Sequence, residues 1–333
     1  MMNSSAFPSL ALLMTLLAGT ATAQHTSPPS LVWPPSPEKA RIEYLYSLSG
    51  KADLGIEKSF FRKIWDFIVG SEDSEQRVVQ PAGVAADIQG RIYVTDPGAH
   101  CVHVFDMNEK SYAQITETLS GTFSWPLGVA IGNDGRIFVS DALRKEIVVL
   151  SSDGKPIGSI RHDFERPTGI AIKGNKIYVV DTPLHKIAVF DLNGAFLFEF
   201  GKRGSSPGEF NFPIHVSGGT YLYVVDAMNH RVQVMSDSGT SLKQFGEVGN
   251  VTGTFASPKG IAVDKEGHVY VTDALFDNFQ IFDPKGTILL SVGRSGNGQG
   301  EFQSPTGIFI GRQDDIYVVD SINRRVQVFR YLP

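Results

Sequence analysis

Apolar positions in this chain fall into short runs separated by Gly, Asn and Asp, and the runs are organised in six repeats. Each repeat passes from a proline, through a glycine two positions on, an aliphatic run and a turn, to an aromatic residue and then an aspartate. The prolines are Pro81, Pro126, Pro167, Pro213, Pro258 and Pro305, spaced 45, 41, 46, 45 and 47 residues apart. The aspartates are Asp96, Asp141, Asp181, Asp226, Asp273 and Asp320, each with Tyr or Phe three positions before it. Phe precedes the proline by three in five repeats, and glycine follows it by two in five, with His215 replacing glycine in the fourth. The third repeat reads as four strands: Gly169 to Ile172, Lys176 to Val180, His185 to Phe190 and Ala195 to Phe200. Its second strand, Ile177-Tyr-Val-Val180, is apolar on both faces, as a sheet must be when each face packs on another sheet. Repeats of this period arranged radially meet that requirement. The expected fold is therefore all-β, a six-bladed β-propeller of four-stranded blades.

The stretches Pro305-Thr-Gly-Ile-Phe-Ile310, Asp315 to Phe329 and Tyr223 to Val234 resemble the NHL repeat. The linker Phe200-Gly-Lys-Arg-Gly-Ser-Ser-Pro-Gly-Glu-Phe210 matches the glycine-rich connection of the same family. The resemblance extends over roughly residues 78 to 330 and implies the propeller fold. It does not choose an activity, because propellers of this kind serve as binding scaffolds in some proteins and as enzymes in relatives.

The last repeat ends one strand short, and Tyr44-Leu-Tyr-Ser-Leu-Ser49 resembles the outer strand Phe196 to Gly201. Residues 41–49 are expected to close the last blade, within a propeller spanning 41–333, and so remove an exposed sheet edge. Ahead of them, 24–40 read as a proline-rich, semi-rigid lead. The apolar run Leu10 to Leu17 and the small-residue site Ala21-Thr-Ala23 make 1–23 an expected secretory signal peptide, although no Lys or Arg precedes the run. The apolar run is too short to span a bilayer, so no transmembrane segment is expected in the mature chain. In 56–69, Phe60, Ile64, Phe67 and Ile68 form one apolar row with Phe61 and Trp65 beside it, the spacing of a short amphipathic helix. Such a helix can dock on its own propeller or contact a partner or a membrane surface.

Charge narrows the partners. A formal net charge of -5 lacks the basic surface of a nucleic-acid binder, and the lone Cys101 excludes an internal disulfide. In the enzymatic propellers that the family resembles, peptide-amidating lyase and gluconolactonase or paraoxonase types, zinc or calcium ligands come from the residues around the one that follows each proline. Here those residues are Ala82, Leu127, Thr168, Ile214, Lys259 and Thr306, so neither metal set transfers and no cofactor is expected. His100, His185 and His230 recur four positions after the aspartate and are read as packing groups, because equivalent loop positions lie too far apart to share an ion. His215 is expected near the channel mouth. The repeated aspartates are read as turn caps.

The expected function is a non-enzymatic, exported binding scaffold, periplasmic or extracellular, that recognises a protein or surface polymer. The candidate contacts are Leu143, Met228, Leu275, Phe276 and Ile322 in the turns after the aspartates, the cations Arg144, Arg231 and Arg325 beside them, and His215. These apolar turn residues would alternatively cover the neighbouring blades. A metal-dependent lyase or lactonase-type hydrolase acting in the channel is the second functional class.

Overall fold

In the computed structural model, residues 30–55 and 77–333 are described. The expected signal peptide and amphipathic helix, and the first part of the proline-rich lead, lie outside those residues. Five antiparallel sheets of four strands and one of five form six blades. The two middle strands of each blade are the most enclosed. Ile137–Asp141, Leu222–Asp226 and Val269–Asp273 are buried at every position, whereas outer strands such as Ser241–Phe245 alternate between exposed and half-buried residues. Apolar residues on both faces of the inner strands follow from that gradient.

Six apolar clusters fill the six seams between blades. Phe138, Phe164, Ile177 and Phe190 join the second and third blades, and Tyr178, Phe210 and Val224 join the third and fourth. The phenylalanines before the prolines thus lie in the seams: Phe123, Phe164, Phe210, Phe255 and Phe302 are all buried. Gly201 opens the third linker at φ +96°, and a Cβ there would come within 2.7 Å of the Phe210 ring. Glycine is required at that position by backbone angle and by space.

The ring closes as the repeat count demanded. Ile42–Leu48 pairs antiparallel with Arg325–Tyr331, with Ile42 opposite Tyr331 and Leu48 opposite Val326. A fifth strand, Val32–Trp33, then pairs with Ile42–Leu48 inside what the sequence presents as a proline-rich lead. Trp33 and Tyr44 both meet Phe329 edge-on, at 5.7 and 5.6 Å between ring centroids. Pro34 and Pro35 end the added strand after two residues, since proline has no N–H for the ladder.

Candidate functional site

The six repeat aspartates end the second strands and define one face, called the upper face below. All six are completely buried. Each accepts backbone N–H groups from the segment entering its own blade: Val79 and Gln80 for Asp96, Ser124 and Trp125 for Asp141, Glu165 and Arg166 for Asp181. Asn211 donates to Asp226, Ala256 and Ser257 to Asp273, and Gln303 to Asp320. The aspartates are turn caps. Their bonds also place the interblade connections and the turns after the aspartates on the same face.

Four positions past each aspartate the backbone is left-handed, with φ between 51° and 56° at His100, Lys145, His185, His230, Asp277 and Arg324. Three of these side chains reach the next blade. His100 Nδ1 donates to the Ser124 carbonyl at 2.8 Å, His185 Nδ1 accepts from Phe212 N–H at 3.0 Å, and Asp277 accepts from Ser304 N–H at 2.8 Å. Two of the recurrent histidines, His100 and His185, are thus separate connectors on the rim, whereas the buried Nδ1 of His230 has no hydrogen-bond partner among the described residues.

The glycine-rich linkers before the fourth, fifth and sixth blades are held by a glutamine on the third strand of the blade they enter. Gln233, Gln280 and Gln327 accept from Gly208, Gly253 and Gly300 N–H at 2.9, 2.6 and 2.9 Å. The same side chains donate to the carbonyls of Glu209, Thr254 and Glu301. Sequence reasoning missed this role, although the glutamines occur only in the three blades preceded by such a linker. Two of the expected binding cations belong to the same clamps. Arg231 binds Asp226, Gln244 and the carbonyls of Ser205, Ser206 and Glu209. Arg325 binds Asp320 and the carbonyls of Asn297, Gly298 and Glu301. Arg144 clamps the hairpin before the second blade through Ser120 and Thr122 and pairs with Glu146 at 2.9 Å. Burial alone would raise the Glu146 carboxyl, but Arg144 and Arg161 outweigh it and hold it below its ordinary value. The expectation of a cationic rim is thus corrected at Arg144, Arg231 and Arg325, whose guanidinium groups serve internal oxygen atoms.

The first blade differs. Cys101 and His103 take the strand positions of Arg231 and Gln233, and His103 lies 3.0 Å from Asp96 and 3.6 Å from the Cys101 sulfur through the same nitrogen, Nε2. One nitrogen facing both groups does not form a relay from acid to nucleophile. Burial, with Asp96 adding to it, pushes the Cys101 thiol up to about 12. The trio is an interior network.

His215 is a seam group. Elsewhere a hydroxyl crosses from one blade to the innermost strand of the next: Thr95 to the Leu127 carbonyl at 2.6 Å, Thr182 to Pro213 at 2.7 Å, Thr272 to Thr306 at 2.6 Å and Ser321 to Pro81 at 2.9 Å. Ser140 makes the same bond to Thr168. The fourth blade has Val225 and Ala227 at the two positions that supply these hydroxyls, and there His215 Nδ1 accepts from Ile261 N–H of the fifth blade at 3.2 Å. Burial lowers its imidazole to about 4.

Outward on the upper face, beside exposed charges such as Lys145 and Arg324, stand apolar side chains. Leu143, Met228, Leu275 and Ile322, all two positions past the aspartate, are 67, 58, 71 and 64% exposed, while Phe276 is half-buried. Leu143 borders a depression of about 490 Å³ with His100, Thr116 and Phe123. A larger cavity of about 830 Å³ opens on the opposite face between Asp87, Arg91, Asp106, Ile131 and Phe309, but Asp87 and Asp106 already cap their own turns. Among the described residues no group of three His, Cys, Asp or Glu side chains is placed to hold a metal.

The NHL repeat family matches residues 79–105, and a family described as a 6-bladed beta-propeller matches 266–331. The chain is an NHL-repeat six-bladed propeller. Protein brain tumor of Drosophila melanogaster is 36% identical over 61 residues, which are 18% of this chain and 6% of that protein. Virginiamycin B lyase from Staphylococcus aureus superposes with a TM-score of 0.57 at 14% identity, over 76% of this chain and 96% of the other. A gluconolactonase from Xanthomonas campestris gives 0.60 at 13% identity, over 77% and 87%. Likeness at these identities concerns the fold. No helix among the described residues of this NHL propeller is long and apolar enough to cross a membrane.

Proposed function

We propose that this NHL propeller is an exported, non-enzymatic scaffold that captures a protein or surface polymer on its upper face. The observation that carries the reading is the four-fold recurrence of a large, exposed apolar side chain at one turn position, Leu143, Met228, Leu275 and Ile322. Exposed apolar groups gathered on one face mark interaction surfaces. The clamped linkers and stitched seams hold these turns on a rigid frame, which limits the entropy lost on binding. A metal-dependent lyase or lactonase would need a convergent ligand set, and the described residues supply none.

The test is Leu143→Ser, Met228→Ser and Leu275→Ser combined, assayed by affinity capture from the envelope fraction and by urea unfolding. Capture should fall while the midpoint holds, because side chains already exposed lose little packing, whereas buried ones typically cost ~2–5 kcal/mol each. Unchanged capture would remove this face as the binding surface. Export is part of the proposal and rests on the apolar run and the Ala21-Thr-Ala23 site; the exported protein should begin at Gln24 by N-terminal sequencing, and an intact leader would count against it.

A further inference from the structure

The residues following the six blade prolines stand where the innermost strands meet around the channel. That proximity is visible one position later: a Cβ on Gly169 would lie 2.6 Å from the His215 Cα of the next blade, and one on Gly307 would lie 2.7 Å from the Ala82 carbonyl. Five of the ring positions are neutral, namely Ala82, Leu127, Thr168, Ile214 and Thr306. The sixth is Lys259. It is half-buried, and among the described residues it has no hydrogen-bond or ion-pair partner.

The nearest opposing charge does not fill that role. Asp273 is fully buried and its two oxygens receive the N–H groups of Ala256, Ser257, Leu275 and Phe276. Its field reaches Lys259, yet burial is the larger effect and lowers the ammonium group from its ordinary value. A partly desolvated cation without a contact partner is unfavourable for the free protein and favourable for an anion that completes it. The six buried aspartates at the same end surround the mouth with negative charge, only some of it paired: Arg231 meets Asp226 and Arg325 meets Asp320. One cation inside such a ring suits a single negative charge and disfavours phosphates and other polyanions.

We propose that the upper channel mouth of this propeller is a binding site for a monoanionic carboxylate, held by the ammonium group of Lys259. The carboxylate can belong to a free organic acid or to the C-terminus of a polypeptide.

Acetate titrated into the ¹⁵N-labelled protein at constant ionic strength, with chloride as the control, is the direct test. Saturable shifts are expected at the amides of Ile214 and Gly260. Affinity should drop by at least about tenfold in Lys259→Gln and persist in Lys259→Arg, the size expected for losing one charge-assisted hydrogen bond. Urea midpoints of both variants establish that the fold is kept. N-acetyl-triglycine and its C-terminal amide separate the two sources: tighter binding of the free-acid peptide than of acetate points to a polypeptide end, and acetate binding as well or better points to a free acid. No saturable response to acetate or the free-acid peptide, an equal response in Lys259→Gln, or binding of the amide equal to that of the acid would overturn the proposal. None of these outcomes depends on whether the apolar turns capture a macromolecule.

Discussion

Acidification should weaken the seam between the fourth and fifth blades through His215. The imidazole accepts from Ile261 N–H at Nδ1, and burial takes its pKa from 6.5 down to about 4 in the folded protein. The unfolded chain binds the proton near the ordinary value, so between those two values it holds more protons than the native state does. Stability from this group is fully present above pH 6.5 and is lost as pH falls toward 4. At ~1.36 kcal/mol per unit the full window represents about 3 kcal/mol, and at pH 5 about 2 kcal/mol, both ceilings because the residue is only half-buried. His215→Gln provides the reference, since its amide oxygen can accept from Ile261 without titrating. Urea unfolding of both proteins at intervals from pH 7.5 to 4.5 isolates the effect, because the other carboxylates cancel in the difference. The wild-type advantage should shrink by roughly 1–2 kcal/mol between pH 7 and 5. A difference that stays flat, or grows in acid, would refute the assignment.

Three further perturbations probe the frame. Deleting 30–49 should lower the urea midpoint and promote aggregation relative to deleting 1–29 alone, because Arg325–Tyr331 loses its ladder partner; equal midpoints would refute the closure. Gln280→Leu removes the bonds to Gly253 N–H and the Thr254 carbonyl, and should cost ~1–3 kcal/mol with faster hydrogen exchange at Gly253; unchanged exchange would show that the linker holds itself. Gly260→Ala places a Cβ against the Thr306 carbonyl and 3.0 Å from Ile308 N, backbone atoms that cannot rotate away, and should destabilise by more than ~2 kcal/mol in thermal or urea unfolding.

The parts of this architecture legible in the sequence are those that the blade imposes on every repeat. The proline, the glycine, the aromatic and the aspartate recur because each seam needs the same close approach, the same filling ring and the same turn cap. The closing strand was legible because a repeat that ends one strand short requires a partner. Val32–Trp33 was not, since two residues beside Pro34 and Pro35 carry no periodicity. Arg144, Arg231 and Arg325 were misjudged for a different reason. A sequence displays a charge but not the carbonyls that converge on it, and those of Arg231 lie 22 to 26 residues away. His215 was rightly noticed as a departure, but its role depends on a donor in the next blade, 46 residues on.

The same close approach that fixes the repeat glycines also bears on where recognition can take place. Innermost strands near enough to exclude a Cβ leave the repeat positions facing one another as backbone, and the seam hydroxyls are already committed to neighbouring carbonyls. Beyond the one strand position that follows each proline, side-chain variety is therefore concentrated in the turns that follow the second strands. There the aspartate caps fix the backbone, and the second position of each turn carries Gly98, Leu143, Pro183, Met228, Leu275 and Ile322 around the ring, with Gly98 held small by Gln80 and Val79. Four of these six are large and apolar although none needs to be for the fold, since they are more than half exposed. A residue type repeated where packing does not demand it calls for an external cause, and an apolar partner surface supplies one.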